Sequence, residues 1–307
     1  MSNQSRIMLA CTMKSGSTYV ARVLSSYFRA ELTNVEFYWG WEHNLTSSLV
    51  SQLAGKSWVL QMHLRPYHPN LEHLSMLGAS TLVLWRNIGD VIVSFDDHIH
   101  RESHINPIGY IHDAGAYLQM DDQLRYRYLI RHAVPWYIAF YLQWRAAGIA
   151  CFERYEWMAR CPQEFFSNII RRLADCVDED ALSRILLEPA LNTRFNKGVV
   201  GRSAELFSED TKRLLEDVLR EHPEDLGELR SELPWESPAP STESPFEGRL
   251  LRSASPGDDR VYFIRYGKKR WVVNSTWIIS HGKCWPEDVE TVPAAVLENI
   301  PKGARLI

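Results

Sequence analysis

Short apolar runs alternate with longer amphipathic stretches over the first two thirds of the chain. The apolar runs, which predict buried strands, lie at 6–11, 57–62, 80–85 and 148–153. The amphipathic stretches, which predict helices, lie near 17–29, 44–54, 88–101, 120–147, 162–176 and 207–221. We expect residues 126–144 to form a long, buried helix that is kinked at Pro135. Strands that alternate with helices predict an α/β fold, in which a parallel sheet is covered by helices on both faces.

The alternation ends at a segment rich in proline. Residues 234–248, PWESPAPSTESPFEG, carry four of the fifteen prolines and have no apolar period, so they predict an extended linker. The linker would separate a domain at 1–233 from a small β-rich module at 249–307. In that module β-branched and aromatic residues flank YGKK (266–269), which indicates a hairpin. The module is similar to short accessory modules appended to various bacterial enzymes.

Composition excludes several classes of protein. The chain is 45% hydrophobic and 23% charged, as soluble globular proteins are, and its net charge of −4 provides no basic field for nucleic acid. Five scattered cysteines without a CxxC pair argue against a disulfide framework or a zinc site and suit a reducing cytosol. The longest apolar-rich stretch (133–144) is too short to span a bilayer. We expect a cytoplasmic protein; its oligomeric state does not follow from the sequence.

The stretch ACTMKSGSTYV (10–20) follows the first predicted strand. A tight turn followed by a helix from about Ser17 would aim backbone N–H groups and the positive helix end at one place, which favours an anion. Gly16 allows close backbone approach, while Ser15, Ser17 and Thr18 add hydroxyls and Lys14 adds a charge. The lysine precedes the glycine, unlike in the GxxxxGK[ST] loop of nucleoside triphosphatases. The alternative is an ordinary strand–turn–helix with a chance lysine.

A second stretch, TLVLWRNIGDVIVSF (81–95), is an apolar run that ends at Arg86. Ser94 follows eight residues later, about two turns into the next predicted helix. A guanidinium at a strand end and a nearby hydroxyl can hold a second phosphate through charge-assisted hydrogen bonds. No aspartate ends this strand, as a magnesium site of the nucleoside-triphosphatase type would need. Alternatively, Arg86 faces solvent.

Four segments in this order resemble those of sulfotransferases that use 3′-phosphoadenosine 5′-phosphosulfate (PAPS): MKSGSTY (13–19), RNIGDVIVS (86–94), ERYEWMARCP (153–162) and FNKGVVG (195–201). The resemblance implies that PAPS is the co-substrate, with no metal, and that a sulfuryl group passes to a hydroxyl or amine of a small molecule or glycan. It also implies the residues that bind PAPS, which are Lys14, Ser15, Gly16, Ser17, Thr18, Tyr19, Arg86, Ser94, Asn196, Lys197 and Gly198. Lys14 would stabilise the charge on the leaving group.

His63 follows the predicted strand 57–62, in QMHLRP, where the sulfotransferase family has its catalytic histidine. The resemblance therefore makes His63 the general base; without it, a strand-end histidine bonded to a backbone carbonyl is the simpler interpretation. Three positions depart from the family pattern. Gln61 replaces a second lysine, Asn196 replaces an arginine and Tyr19 replaces a tryptophan that stacks on adenine, so we expect a divergent branch. Arg194 or Arg202 would compensate for the missing arginine.

Two other functions stay open at this stage. One is a P-loop kinase for a small metabolite, which the missing GxxxxGK[ST] and strand-end aspartate disfavour. The other is a non-catalytic nucleotide-binding scaffold protein, which Gln61 and Asn196 keep possible.

His98, His100 and His104 form a further cluster without the partners of a common zinc site, so we expect no metal there. The carboxylates of Glu36, Glu42, Asp96 and Asp97 are either solvated or give an acceptor pocket an acidic character.

Overall fold

A computed structural model describes residues 5–33, 42–102, 111, 113–174, 176–188, 199–222, 226, 229–230, 233–235, 245–246, 248–265, 268–273, 278 and 286–302. Contacts within the chain divide it into two compact units, Met1–Thr211 and Lys212–Ile307. The predicted linker at 234–248 lies largely outside the described residues, so its role as a linker stays a prediction.

The first unit is built on a five-stranded parallel sheet. Its strands are β1 (Arg6–Cys11), β2 (Glu31–Thr33), β3 (Trp58–Met62), β4 (Ser80–Trp85) and β5 (Cys151–Arg154). They lie in the order β2-β3-β1-β4-β5, and every pair in the sheet is parallel. The predicted α/β fold is confirmed. The expected strand at 148–153 is displaced, because Gly148 ends the preceding helix in a left-handed conformation and β5 begins only at Cys151.

Helices cover the sheet. Those of the first unit are α1 (Ser17–Phe28), α2 (Ser47–Leu53), α3 (His68–Leu77), α4 (Ile88–Glu102), α5 (Ala114–Leu118), α6 (Asp122–His132), α7 (Val134–Ala147), α8 (Tyr155–Arg160), α9 (Pro162–Leu173), α10 (Glu179–Leu187) and α11 (Arg202–Leu206). A further helix, α12 (Glu209–Glu221), crosses the boundary between the units. No helix among the described residues is long and apolar enough to cross a membrane.

The prediction of a single kinked helix over 126–144 is wrong. Two helices, α6 and α7, meet at Ala133, and Pro135 lies in the first turn of α7. A proline in the first turn leaves no helical hydrogen bond unmade, because the first N–H groups of a helix have no partner within it. The proline therefore starts a new helix here and does not bend an existing one.

Alternate residues of β1 pack into two hydrophobic cores. Ile7, Leu9 and Cys11 contribute to one core, together with apolar residues of α1 and α9. Met8 and Ala10 contribute to the other, which includes Trp144 of α7 and residues of α2 and α3. The strand has a core on both faces and is buried along most of its length, so its position in the sheet is firmly determined.

The order of the strands locates the place where a ligand would bind. β1 lies between β3 and β4, which lead towards opposite edges of the sheet. In open α/β sheets, ligands bind beyond the carboxyl ends of the strands at such a switch point. The residues that directly follow β1, β3 and β4 are Thr12, His63 and Arg86.

The second unit contains a mixed sheet of four strands. Its described elements include β6 (Leu250–Ser253), β7 (Val261–Arg265), β8 (Lys268–Val272), β9 (Val289–Val292) and the short helix α13 (Ala294–Asn299). The strands lie in the order β8-β7-β6-β9; β7 pairs with β8 antiparallel, as the hairpin signal predicts, and β6 pairs with β9 parallel. Within this unit the fully buried Arg270 donates hydrogen bonds to the carbonyls of Glu221 and His222, which joins β8 to the end of α12.

Candidate functional site

A tightly turned loop connects β1 to α1. The Thr12 N–H donates to the carbonyl of Leu84 in β4 at 3.3 Å, and the buried Ser15 hydroxyl donates to the Thr12 carbonyl at 2.7 Å. Lys14 has φ 61° and Gly16 has φ 79°, so the chain passes twice through the left-handed region within three residues. The loop thereby reverses direction and begins α1 at Ser17, the geometry in which helix N–H groups face an anion.

Gly16 is required by its neighbours as well as by its backbone. A Cβ atom at this position would lie 2.8 Å and 2.9 Å from two ring carbons of Tyr155, the first residue of α8. The Tyr155 ring also lies against Arg86, whose Cζ is 4.2 Å from the ring centroid. Tyr155 thus links the loop, the end of β4 and the start of α8, three segments that are far apart in the sequence.

Arg86 connects the loop to the chain beyond residue 198. Its Nη1 donates to the Lys14 carbonyl at 3.3 Å, and its Nη2 donates to the Val199 carbonyl at 3.0 Å. The side chain is buried and lies 3.7 Å from the Asp90 carboxylate. Its Nε atom is also buried, and no described residue accepts a hydrogen bond from it. A buried N–H of this kind is costly unless something outside the described residues accepts it, and an anionic ligand is one acceptor of the right chemistry.

Asp90 fixes the return of the late loop onto α4. Its Oδ2 accepts from the Gly201 N–H at 2.6 Å, and its Oδ1 accepts from the N–H and the hydroxyl of Ser203 at 3.0 Å and 2.9 Å. The residue before it must be glycine, because a Cβ at Gly89 would lie 2.6 Å from the Ser203 hydroxyl. Asp90 was not among the residues selected from the sequence. The sequence contains one trace of it. Asn87 precedes the first residue of α4, and its side-chain oxygen accepts a hydrogen bond from the Asp90 N–H, so the pattern NxxD marks the start of this helix.

Replacing Asp90 with alanine is expected to lower the free energy of unfolding of the first unit by about 2–5 kcal/mol, because it leaves buried donors without an acceptor. Chemical denaturation followed by circular dichroism measures the change. Asp97→Ala is the matched control: Asp97 lies on the same helix and pairs with Arg202 at 2.7 Å, but it is about a third exposed. The control should cost less than about 1 kcal/mol. Equal losses in the two variants would contradict the special role of Asp90.

His63 lies where β1 and β3 end. Its Nδ1 is 2.8 Å from the Cys11 carbonyl oxygen, which can only accept, so Nδ1 carries the proton and Nε2 is the unprotonated nitrogen. Burial, followed by the charges of His43 and Lys14, lowers the pKa of His63 to about 4. Burial also raises the pKa of the nearby Cys11 thiol to about 12. At neutral pH the imidazole is therefore neutral, as a general base must be, beside a thiol that stays protonated.

The remaining candidates of the loop lie in α1. Ser17 is buried, and its hydroxyl accepts a hydrogen bond from Gln61 Nε2 at 2.9 Å. A neutral amide therefore stands where the family resemblance expects a second lysine. Tyr19 packs edge-on against Phe166 with ring centroids 5.8 Å apart. Thr18 is partly buried, and Ser94 of α4 is buried.

Some sequence-based candidates lie outside the described residues: Asn196, Lys197, Gly198, Arg194, His104 and Glu36. Asn196, Lys197 and Gly198, which the family resemblance places over PAPS, therefore stay predictions. Arg202, proposed as a compensating cation, pairs with Asp97. Within the part of the chain that the structure describes, no three His, Cys, Asp or Glu side chains are arranged to hold a metal ion.

The acidic residues near this end of the sheet are paired with cations. Glu42 contacts Arg65 and also accepts from the Trp136 indole N–H at 2.8 Å. Asp96 accepts from Arg125 Nε at 2.9 Å, and the pair is buried. Asp97 pairs with Arg202, so Glu42, Asp96 and Asp97 each have a cationic neighbour; Glu36 lies outside the described residues, and an acidic acceptor pocket stays a prediction.

The fold and the site define an α/β protein with a tightly turned loop after its first strand, a buried arginine directly after β4 and a histidine directly after β3 that is bonded to the end of β1. No protein family and no curated protein matches the sequence. Among solved structures, the chain is similar to mouse sulfotransferase SULT7A1 complexed with PAP, with a TM-score of 0.55 and 18% identity over 74% of this chain and 88% of that chain. At this identity the likeness shows that the chain has a sulfotransferase-like fold and nothing more specific.

Proposed function

We propose that this protein is a PAPS-dependent sulfotransferase, which moves a sulfuryl group to a hydroxyl or amine of a small-molecule or glycan acceptor. The observation that carries the proposal is the position of Arg86, whose guanidinium contacts the Lys14 carbonyl while its buried Nε has no acceptor among the described residues. A ligand with two separated anionic groups would place one on the N–H groups of the loop and the other within reach of Arg86 Nε. The solved structure of similar fold, mouse SULT7A1, holds PAP.

The residues suit the two ends of such a nucleotide. The loop residues 14–18 would bind the 5′-phosphosulfate through backbone N–H groups and hydroxyls, and Lys14 would stabilise charge on the leaving oxygen. Arg86 and Ser94, with Asn196, Lys197 and Gly198, would bind the 3′-phosphate. Tyr19 would stack on the base with less area than the tryptophan usual in the family. PAPS supplies the activated sulfuryl group when it is bound.

His63 would act on the acceptor, as the general base that removes its proton. Its Nε2 is free to accept a proton from an acceptor hydroxyl, because Nδ1 is committed to the Cys11 carbonyl. This hydrogen bond also orients the ring. In other enzymes a third group orients the base of a nucleophile–base pair in the same way. Because the described acidic residues nearby are paired with cations, the site has no evident preference for a positively charged acceptor.

Thermal melting tests the choice of nucleotide. Adenosine 3′,5′-bisphosphate is expected to raise the melting temperature, since a ligand at 100 times its dissociation constant stabilises the folded state by about 2.7 kcal/mol. ATP with magnesium should have a much smaller effect, because the residue directly after β4 is Arg86 and not the aspartate that a magnesium site of the nucleoside-triphosphatase type needs. A shift with ATP and magnesium alone would contradict the proposal and favour a P-loop kinase.

One observation favours a second candidate, a nucleotide-binding protein without catalysis. Gln61 gives the site a neutral amide bonded to Ser17 in place of a second cation. Transfer of labelled sulfate from PAPS to a panel of sugars, phenols, aliphatic alcohols and amines separates the two. Binding of adenosine 3′,5′-bisphosphate without transfer to any acceptor would favour the scaffold.

A further inference from the structure

Two imidazoles lie against each other beyond the end of β3. The rings of His43 and His63 are stacked, with centroids 5.2 Å apart and planes 22° from parallel. The His43 N–H donates to the His63 carbonyl at 3.1 Å, and the His63 N–H donates to His43 Nδ1 at 3.0 Å. His43 therefore satisfies both backbone polar groups of His63, although the two residues are 20 positions apart.

The hydrogen bonds determine where the protons are. His43 Nδ1 accepts from a backbone N–H, so it carries no proton and the neutral ring is protonated at Nε2. A second proton on His43 would occupy Nδ1 and end this acceptance. The His63 N–H would then be left without its partner, and a positive charge would stand beside the His63 ring.

We propose that His43 is a positioning residue for His63, and that the neutral form of its imidazole holds the candidate base in its working orientation. The proposal rests on the proposed sulfotransferase function. His63 then has two supports, the Cys11 carbonyl on its ring and His43 on its backbone. Protonating His43 ends the hydrogen bond that its Nδ1 accepts from the His63 N–H, while the bond from the His43 N–H to the His63 carbonyl does not depend on the ring.

Among the described residues, the groups that affect the protonation of this pair lie on β1, on the loop after it and next to His43 in the chain. On the side of β1, Lys14 acts on His63 and lowers its pKa, while the pKa of the Cys11 thiol is raised by burial. Burial lowers the pKa of His43. The carboxylate next to His43 in the chain, Glu42, is paired with Arg65. Burial of both rings and their mutual repulsion therefore act in the same direction and keep the pair neutral near pH 7.

Two substitutions at His43 separate its roles. His43→Asn replaces Nδ1 by an amide oxygen that can accept the His63 N–H but cannot titrate, whereas His43→Phe keeps a flat ring without an acceptor. We expect His43→Asn to transfer sulfate at close to the wild-type rate at pH 7. We expect His43→Phe to lose at least about 10-fold in kcat, the scale of one unsatisfied buried donor, with KM for PAPS unchanged.

The pH profile distinguishes positioning from simple packing. In the wild type, log kcat/KM should fall on the acid side with a slope that exceeds one once the pH is below the pKa values of both imidazoles, because the doubly protonated enzyme must lose two protons to become active. In His43→Asn the slope should return to one. Equal kcat in wild type and His43→Phe, or an unchanged slope in His43→Asn, would overturn the proposal.

Nitrogen-15 spectra of labelled histidine provide a readout that needs no activity. They should show His43 protonated at Nε2 and His63 at Nδ1, and the pKa of His63 should be higher in His43→Asn, since the charge of His43 no longer opposes its protonation. Amide exchange at His63 should be faster in His43→Phe and unchanged in His43→Asn. If these signs appear without any sulfate transfer, the pairing holds and the proposed reaction fails; if transfer occurs without them, His43 has no positioning role.

Discussion

Replacing His63 with alanine is expected to lower the rate of sulfate transfer by about 10²–10⁴-fold, the usual contribution of a positioned general base. The loss should appear in kcat, because the proton leaves the acceptor as the new bond forms. Binding of adenosine 3′,5′-bisphosphate should change little, since the loop that would hold its 5′ side is shaped by hydrogen bonds of Thr12 and Ser15 and by Gly16. Sulfate transfer measures the loss of kcat, and titration of the nucleotide on the same preparation measures whether binding is unchanged.

The pKa of His63 also predicts in which direction kcat/KM changes with pH. The pKa of His63 is lowered to about 4, principally by burial, so the neutral base persists well below the pH at which a free histidine is half protonated. Wild-type kcat/KM should therefore hold between pH 7 and pH 6 and fall only at lower pH. His63→Ala should lose this acid limb together with the rate. His68→Ala, a change at an exposed histidine of α3, serves as control and should keep both; unchanged turnover in His63→Ala would remove the assignment.

The strands were predictable where both of their faces are buried. β1 and β4 begin and end where the apolar runs predict, because five of the six residues in each are buried. β2 was not predicted: it has three residues, none of them buried, and forms by pairing with β3. Such an edge strand depends on its neighbour more than on its own pattern. The break between α6 and α7 was also missed, since periodicity alone does not distinguish a kinked helix from two helices.

The candidate site was partly predictable for a related reason. Lys14, His63 and Arg86 each directly follow or lie close behind an apolar run, and the ends of parallel strands meet at one edge of the sheet. The groups that hold these side chains were not predictable from local pattern. His43 contacts His63 from 20 positions away, and Asp90 contacts Gly201 from 111 positions away. Contacts over such separations follow from the tertiary fold, and only the NxxD start of α4 leaves a trace in the sequence.

Tyr155 illustrates the difference between a motif and its role. It belongs to a segment, ERYEWM, that the family resemblance includes without assigning this residue a contact. In the structure its ring lies under the Arg86 guanidinium and against the position where Gly16 would have a side chain. The ring therefore fixes the distance between the two proposed phosphate-binding elements. Residue type and order predicted that the elements would meet, while their spacing depends on packing that no local rule describes.

Replacing Arg86 with alanine is expected to weaken binding of adenosine 3′,5′-bisphosphate by at least about 30-fold, since truncating one partner of a buried, hydrogen-bonded charge pair costs about 2–5 kcal/mol and about 1.4 kcal/mol is a factor of ten. Arg86→Lys should recover only part of this loss. A lysine keeps the charge but lacks the planar set of donors with which Arg86 contacts the Lys14 and Val199 carbonyls while Nε remains available to a ligand. Isothermal titration calorimetry on all three proteins measures the difference.

Two controls decide what such a loss means. Arg154→Ala removes a guanidinium from the end of the neighbouring strand β5, where it lies 5.3 Å from the Trp85 ring and is more than a third exposed, so binding should stay within about threefold. Melting temperatures without ligand show whether Arg86→Ala also leaves the buried Asp90 carboxylate without its cation and loosens the fold. If Arg86→Ala is as stable as the wild type and still binds the nucleotide equally well, the second anion site lies elsewhere. If Arg86→Lys binds as tightly as the wild type, charge alone suffices and the buried Nε contributes nothing to recognition.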